Sequence, residues 1–151
     1  MTQLSIDLNA LCEAYENGSW SRRFYLDSHS GAVVEVTETQ RIALQIIYDE
    51  EGEASANIPP ALQQAHAVEL DDERYWKIPT CTKKKLLELG DQFSETVERP
   101  LQRLLWRALD AHNVGWFERM LGMESAELHR WQQYKQTAHQ QTLSNWLDKL
   151  G

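Results

Sequence analysis

The stretch "RRFYLDSHSGAVVEV", residues 22–36, decides the fold. Aromatic and β-branched residues at 22–27 and 32–36 flank "SHSG", a link of four residues that carries a glycine. That pattern predicts a β-hairpin. Side chains alternate along a strand, so Phe24 and Leu26 face one side and Tyr25 and Asp27 the other. Upstream, Leu4, Leu8, Leu11 and Tyr15 recur at helical spacing before "NG", which predicts a helix over 5–16. Downstream, "TETQRIALQIIYDEEGE" fits two readings. Ile42, Leu44 and Ile46 alternate as in a strand, while Ile42, Ile46 and Ile47 fit a helix capped by Thr39 and ended by Gly52. The helix is favoured. Pro60 opens a further short helix. "RYWKIP", residues 74–79, reads as a third strand with Trp76 and Ile78 on one face, stopped by Pro79.

Beyond Thr80 the pattern is helical. Leu86, Leu89, Phe93 and Val97 form one stripe. Leu101, Leu104, Leu105 and Ala108 form the next, behind Pro100. "AHNVG" interrupts, "WFERML" makes a short helix, and a long helix follows from a Ser125 cap through Leu128, Trp131, Ala138, Leu143 and Trp146. The expected architecture is a single α+β domain over 1–151. It has an N-terminal helix, a small antiparallel sheet of about three strands, and a helical C-terminal half packed on it. A sheet that small needs helices over at least one face.

Composition narrows the function classes. The 151 residues are 42% hydrophobic and 25% charged, with six tryptophans, which suits a globular domain with a real core. No apolar run reaches the length of a membrane span. The first residues lack the basic region of a signal peptide, so the cytoplasm is the expected location. Two cysteines, Cys12 and Cys81, make no disulfide framework. The net charge of −8 argues against a nucleic-acid binder. The charge is uneven: residues 1–73 carry 14 acids and 3 bases, and residues 74–151 carry 9 acids and 12 bases. Such a split draws the two halves together or steers a charged partner, and both readings stay open.

Motifs for catalysis are sparse. There is no H-E-x-x-H, C-x-x-C, G-x-S-x-G or Gly-rich phosphate loop. Two acidic runs, "DEEGE" at 49–53 and "ELDDE" at 69–73, are the candidates for a cation. Calcium takes about 6–8 oxygens from any loop that gathers them, and the ligand candidates are Asp49, Glu51, Glu53, Asp71, Asp72 and Glu73, with Glu50 beside them. The plain alternative is a solvated acidic surface that confers solubility. An EF-hand loop is excluded, because Gly52 falls at the fourth position counted from Asp49 instead of the sixth. Cys81 precedes Lys83, Lys84 and Lys85 at a helix start, where nearby cations favour a thiolate, but it has no evident base partner. The same lysines could hold a phosphate or pair with acids of this chain. Trp106, Trp116, Phe117, Trp131, Tyr134 and Trp146 read mostly as core.

Four fragments occur in order: "FYLDSHSGAVVEV", "DDERYWKIP", "HNVGWFERML" and "WQQYKQTAHQQTLSNWLDKLG". Together they resemble the bacterial family UPF0158, with its YLD-x-x-[TS]-G-x-[VI] hairpin, acidic loop, R-Y-[IW]-x-I-P strand and terminal tryptophan-bearing helix. The segment 38–68 is richer in Ile and Ala than that pattern, and "VGWFERML" orders its aromatics differently. The resemblance transfers no activity. It associates some very acidic relatives with cytoplasmic calcium, and it assigns no ligand residues. The expected function is a non-catalytic binding or regulatory module whose acidic half meets a basic partner protein or calcium. A thiol-dependent or redox-responsive protein using Cys81, and an oligomerising structural domain, are the alternatives.

Overall fold

A computed structural model describes residues 5–54 and 57–150. The chain divides into two compact units, residues 1–80 and 81–151. The first holds α1 (Leu8–Asn17), β1 (Arg22–Asp27), β2 (Val33–Thr37), α2 (Glu38–Glu51), a 3₁₀ turn (Pro60–Leu62), α3 (Gln63–Leu70) and β3 (Tyr75–Lys77). The second holds α4 (Lys83–Ser94), α5 (Arg99–Asp110), α6 (Val114–Leu121) and α7 (Ser125–Leu150). The expected α+β class holds: an N-terminal helix, a three-stranded antiparallel sheet and a helical C-terminal half.

The hairpin forms as the sequence predicts. β1 is the central strand of the order β2-β1-β3, with Tyr25 opposite Val34 and Leu26 opposite both Val33 and Trp76. The link runs over residues 28–31, closed by the Asp27 amide donating to the Ala32 carbonyl at 2.9 Å. Gly31 stands at φ +80°, and a Cβ there would lie 2.5 Å from the Ser5 carbonyl oxygen, so both backbone and space demand glycine.

Helices bury both faces of the sheet. On the Tyr25 face, Val34, Val36 and Tyr75 pack with Leu44 of α2, Ala65 and Val68 of α3, and Ile58. On the other face Leu26 and Ile78 are buried, and α1, whose Leu11, Cys12, Ala14 and Tyr15 are buried, lies against β1 and β2. Asp7 caps α1 by accepting from the amides of Asn9 and Ala10, so the helix starts at Leu8 instead of Ser5. Leu4 lies outside the described residues.

Residues 38–51 are helical, but the cap is Thr37, not Thr39. The Thr37 hydroxyl accepts from the Gln40 amide at 3.2 Å, and the Gln40 side chain accepts from the Thr37 amide at 2.9 Å. This reciprocal pair is a capping box, and it satisfies two amides that would otherwise be orphaned at the helix start. The buried stripe also differs from the expected one. Leu44, Ile47 and Tyr48 face the core, while Ile42 and Ile46, expected to face it, are 54% and 53% exposed.

The second unit closes on aromatic rings. Leu89, Phe93, Val97, Leu105, Ala108, Phe117, Leu121 and Trp131 form one buried cluster. The Trp131 ring lies 5.3 Å from Phe93 and 5.0 Å from Phe117, the latter edge-on. Such ring pairs add to the area they bury. Gly90 lets α4 come close: a Cβ there would lie 3.0 Å from Leu109 and 3.3 Å from Phe117. Three expected core residues are exposed instead, namely Leu104, Trp106 and Trp116. Trp106 spends its indole N–H on the Ser94 hydroxyl at 3.1 Å. The short helix begins two residues earlier than "WFERML", because the Asn113 side chain caps it by accepting from the Trp116 amide.

Candidate functional site

The acidic runs sit at the carboxyl ends of two neighbouring helices. Asp49, Glu50 and Glu51 occupy the last turn of α2, and Glu53 follows Gly52. Glu69 occupies the last turn of α3, and Asp71 ends it. Neither helix carries a basic residue in its last turn. A helix carries partial negative charge at that end, so carboxylates there repel it.

The helices are joined by Tyr48 and His66, whose hydroxyl and Nδ1 lie 2.7 Å apart. The Tyr48 phenol is pushed above its ordinary pKa, first by burial and then by the carboxylates of Glu69 and Glu53. One acid from each run therefore acts on the same ring. Asp49 accepts a hydrogen bond from Gln45 at 2.8 Å. Asp71 accepts from the Arg74 amide at 3.2 Å and so shapes the turn into β3. Asp72 and Glu73 are exposed in that turn. Among the described residues, no three His, Cys, Asp or Glu side chains stand close enough to share a metal ion. Asp49, Glu51, Glu53, Asp71, Asp72 and Glu73 are spread along the two helix ends and the turn into β3.

Among the described residues, no lysine or arginine pairs with Glu50, Glu53, Glu69, Asp72 or Glu73. Residues 1–80 carry 14 acids and 5 bases, and residues 81–151 carry 9 acids and 10 bases.

Sequence reasoning did not single out Asp27, a carboxylate held by four donors. Asp27, 6% exposed, takes two hydrogen bonds from Arg74, at 3.0 and 2.9 Å. It also accepts from the His29 amide and the Ser30 hydroxyl. The Arg74 guanidinium holds the Asp27 carboxyl well below the usual carboxylate range, against the opposing effect of burial, with His29 and Ser30 adding to it. Arg74 in turn lies 5.1 Å from the Tyr75 ring centre. This set locks the hairpin link to the start of β3. The readable signal was an Asp at the end of a strand ahead of a Ser-Gly turn, together with an Arg ahead of an aromatic strand.

Elsewhere the chemistry is less concentrated. Cys81 is buried at 9% exposure, its thiol donating weakly to the Thr82 carbonyl. Thr82, by accepting from the Lys85 amide, caps α4. Cys12 is buried too, and burial, then Glu16, pushes its thiol pKa up, away from the thiolate. A cleft of about 570 Å³ in the second unit sets Lys83 and Lys84 against Glu88, Asp91 and Asp110, so neither sign dominates. A shallower apolar groove holds Trp116, Met120 and Met123 beside Arg119. No helix among the described residues is long and apolar enough to cross a membrane. Comparison with protein-family models, with curated proteins and with solved structures finds no match for the chain.

Proposed function

We propose that this chain is a non-catalytic binding module, cytoplasmic and bacterial, whose N-terminal unit recognises a basic partner protein. The observation that carries this is the gathering of acids at the carboxyl ends of α2 and α3 with no basic residue in either last turn. Each such charge works against its own helix by about 0.3–1 kcal/mol. Mutual repulsion adds to that cost. A cationic partner would relieve both, so the arrangement favours association over the isolated fold. Membership of UPF0158 is part of the same proposal and rests on the four sequence fragments.

The test is capture from a host lysate on the immobilised full chain, at about 50 mM and about 500 mM salt, with the captured proteins identified. A defined basic protein should be retained at low salt, released at high salt, and lost from a Glu50→Gln, Glu53→Gln, Glu69→Gln variant. Equal capture by that variant would remove the acidic surface from the account. A calorimetric calcium titration run alongside separates the cation reading. Heat at or below millimolar calcium that vanishes in Asp72→Asn, Glu73→Gln would move the proposal from protein to metal.

A further inference from the structure

The acids are only half of the exposed face of α2. Thr39, Ile42, Gln45, Ile46, Asp49 and Glu50 are all exposed, and Glu53 continues the line past the end of the helix. Ile42 and Ile46 lie one turn apart, as i and i+4, so their side chains are neighbours on the surface. They are more than half exposed, although the helix already has a sufficient buried stripe in Leu44, Ile47 and Tyr48. Along one face, then, α2 offers two β-branched apolar residues in its middle and carboxylates towards its carboxyl end.

We infer that this face of α2 is a docking surface for a basic amphipathic helix of a partner protein. The inference rests on the acidic-module reading and names the surface and the shape of what it takes. Charge complementarity fixes the occupant. Its apolar residues, repeating at i and i+4, cover Ile42 and Ile46. Its lysines or arginines, displaced to one end, reach Asp49, Glu50 and Glu53. A second copy of this chain would bring the same acids against themselves unless it turned end for end.

The probe is a fluorescein-labelled helical peptide of leucine and lysine with leucines at i and i+4 and lysines clustered at one end. A peptide of the same composition with its leucines scattered is the control. Anisotropy is read on the full-length chain. The patterned peptide should bind at least about tenfold tighter than the control. Ile42→Ser, Ile46→Ser should weaken it by about tenfold or more while circular dichroism stays unchanged, since both side chains are exposed. Asp49→Asn, Glu50→Gln, Glu53→Gln should weaken it and flatten its salt dependence. If the acid variant loses binding while the isoleucine variant keeps it, or if the two peptides bind alike, the helix-docking surface falls and the acidic reading stands. If neither peptide binds the parent chain, both fall.

Discussion

The two units solve different problems. Residues 81–151 gather Phe93, Phe117 and Trp131 in one buried cluster while Trp106 and Trp116 stay at the surface, and acids and bases are nearly equal in number. Residues 1–80 bury a modest sheet between helices and leave an acid excess at two helix ends, with isoleucines facing water. The first arrangement maximises packing. The second gives up some stability at the surface, and the contrast teaches where to look for recognition: at the place where a helix is charged against its own dipole.

The sharpest way to break this contrast is to attack the packed unit. Trp131→Ala should lower its stability by about 4 kcal/mol, measured by urea denaturation, because the indole meets rings on several sides. A loss under about 1 kcal/mol would mean that the aromatic cluster is not what holds this unit.

The acidic unit has one carboxylate that must stay charged. Asp27→Asn should cost about 2 kcal/mol at neutral pH, since it exchanges charge-assisted bonds to Arg74 for neutral ones. The folded pKa is depressed, so the stabilisation is full above the unfolded carboxylate value of about 3.9 and drains away as pH falls towards the folded one. A stability profile between neutral and strongly acid pH should therefore fall less steeply below about pH 4 in Asp27→Asn than in the parent. Parallel acid limbs would contradict the pairing.

The smallest effect is the most telling. Glu50→Lys should raise stability by about 0.5 kcal/mol at low salt, because it places a cation at the carboxyl end of α2, and the gain should shrink as salt is added. The same substitution should weaken capture of a basic partner. Stability and binding would then move in opposite directions. A variant that loses stability would show that Glu50 serves the fold.

Much of this was legible in the chain itself. The hairpin at 22–36 announces itself by its β-branched residues and the turn at Gly31, and "RYWKIP" by its length and its proline. The helices of the second unit follow from their leucine spacing. What escaped depends on phase and on distance. "TETQ" offers two threonines as caps, and only the reciprocal bond with Gln40 selects Thr37. At about 100° per residue Ile42 and Ile46 lie opposite Leu44, so packing of Leu44, Ile47 and Tyr48 against the sheet leaves them outward. Asp27 and Arg74 lie 47 positions apart, and no local pattern joins them. The acids were legible as a group, but their spread over helix ends, without three of them meeting among the described residues, is a property of the tertiary structure.

Thr37 also has a mechanical meaning. It is the last rung of β2, opposite Arg22, and at the same time the cap of α2. The next amide, Glu38, still donates across to the Ser21 carbonyl at 2.8 Å. Strand passes into helix with no intervening loop, so the joint has no elbow. Torque applied to the outer face of α2 passes directly into the hairpin ladder, and the amides of Thr37, Glu38 and Gln40, all engaged at the joint, are where hydrogen exchange would register it.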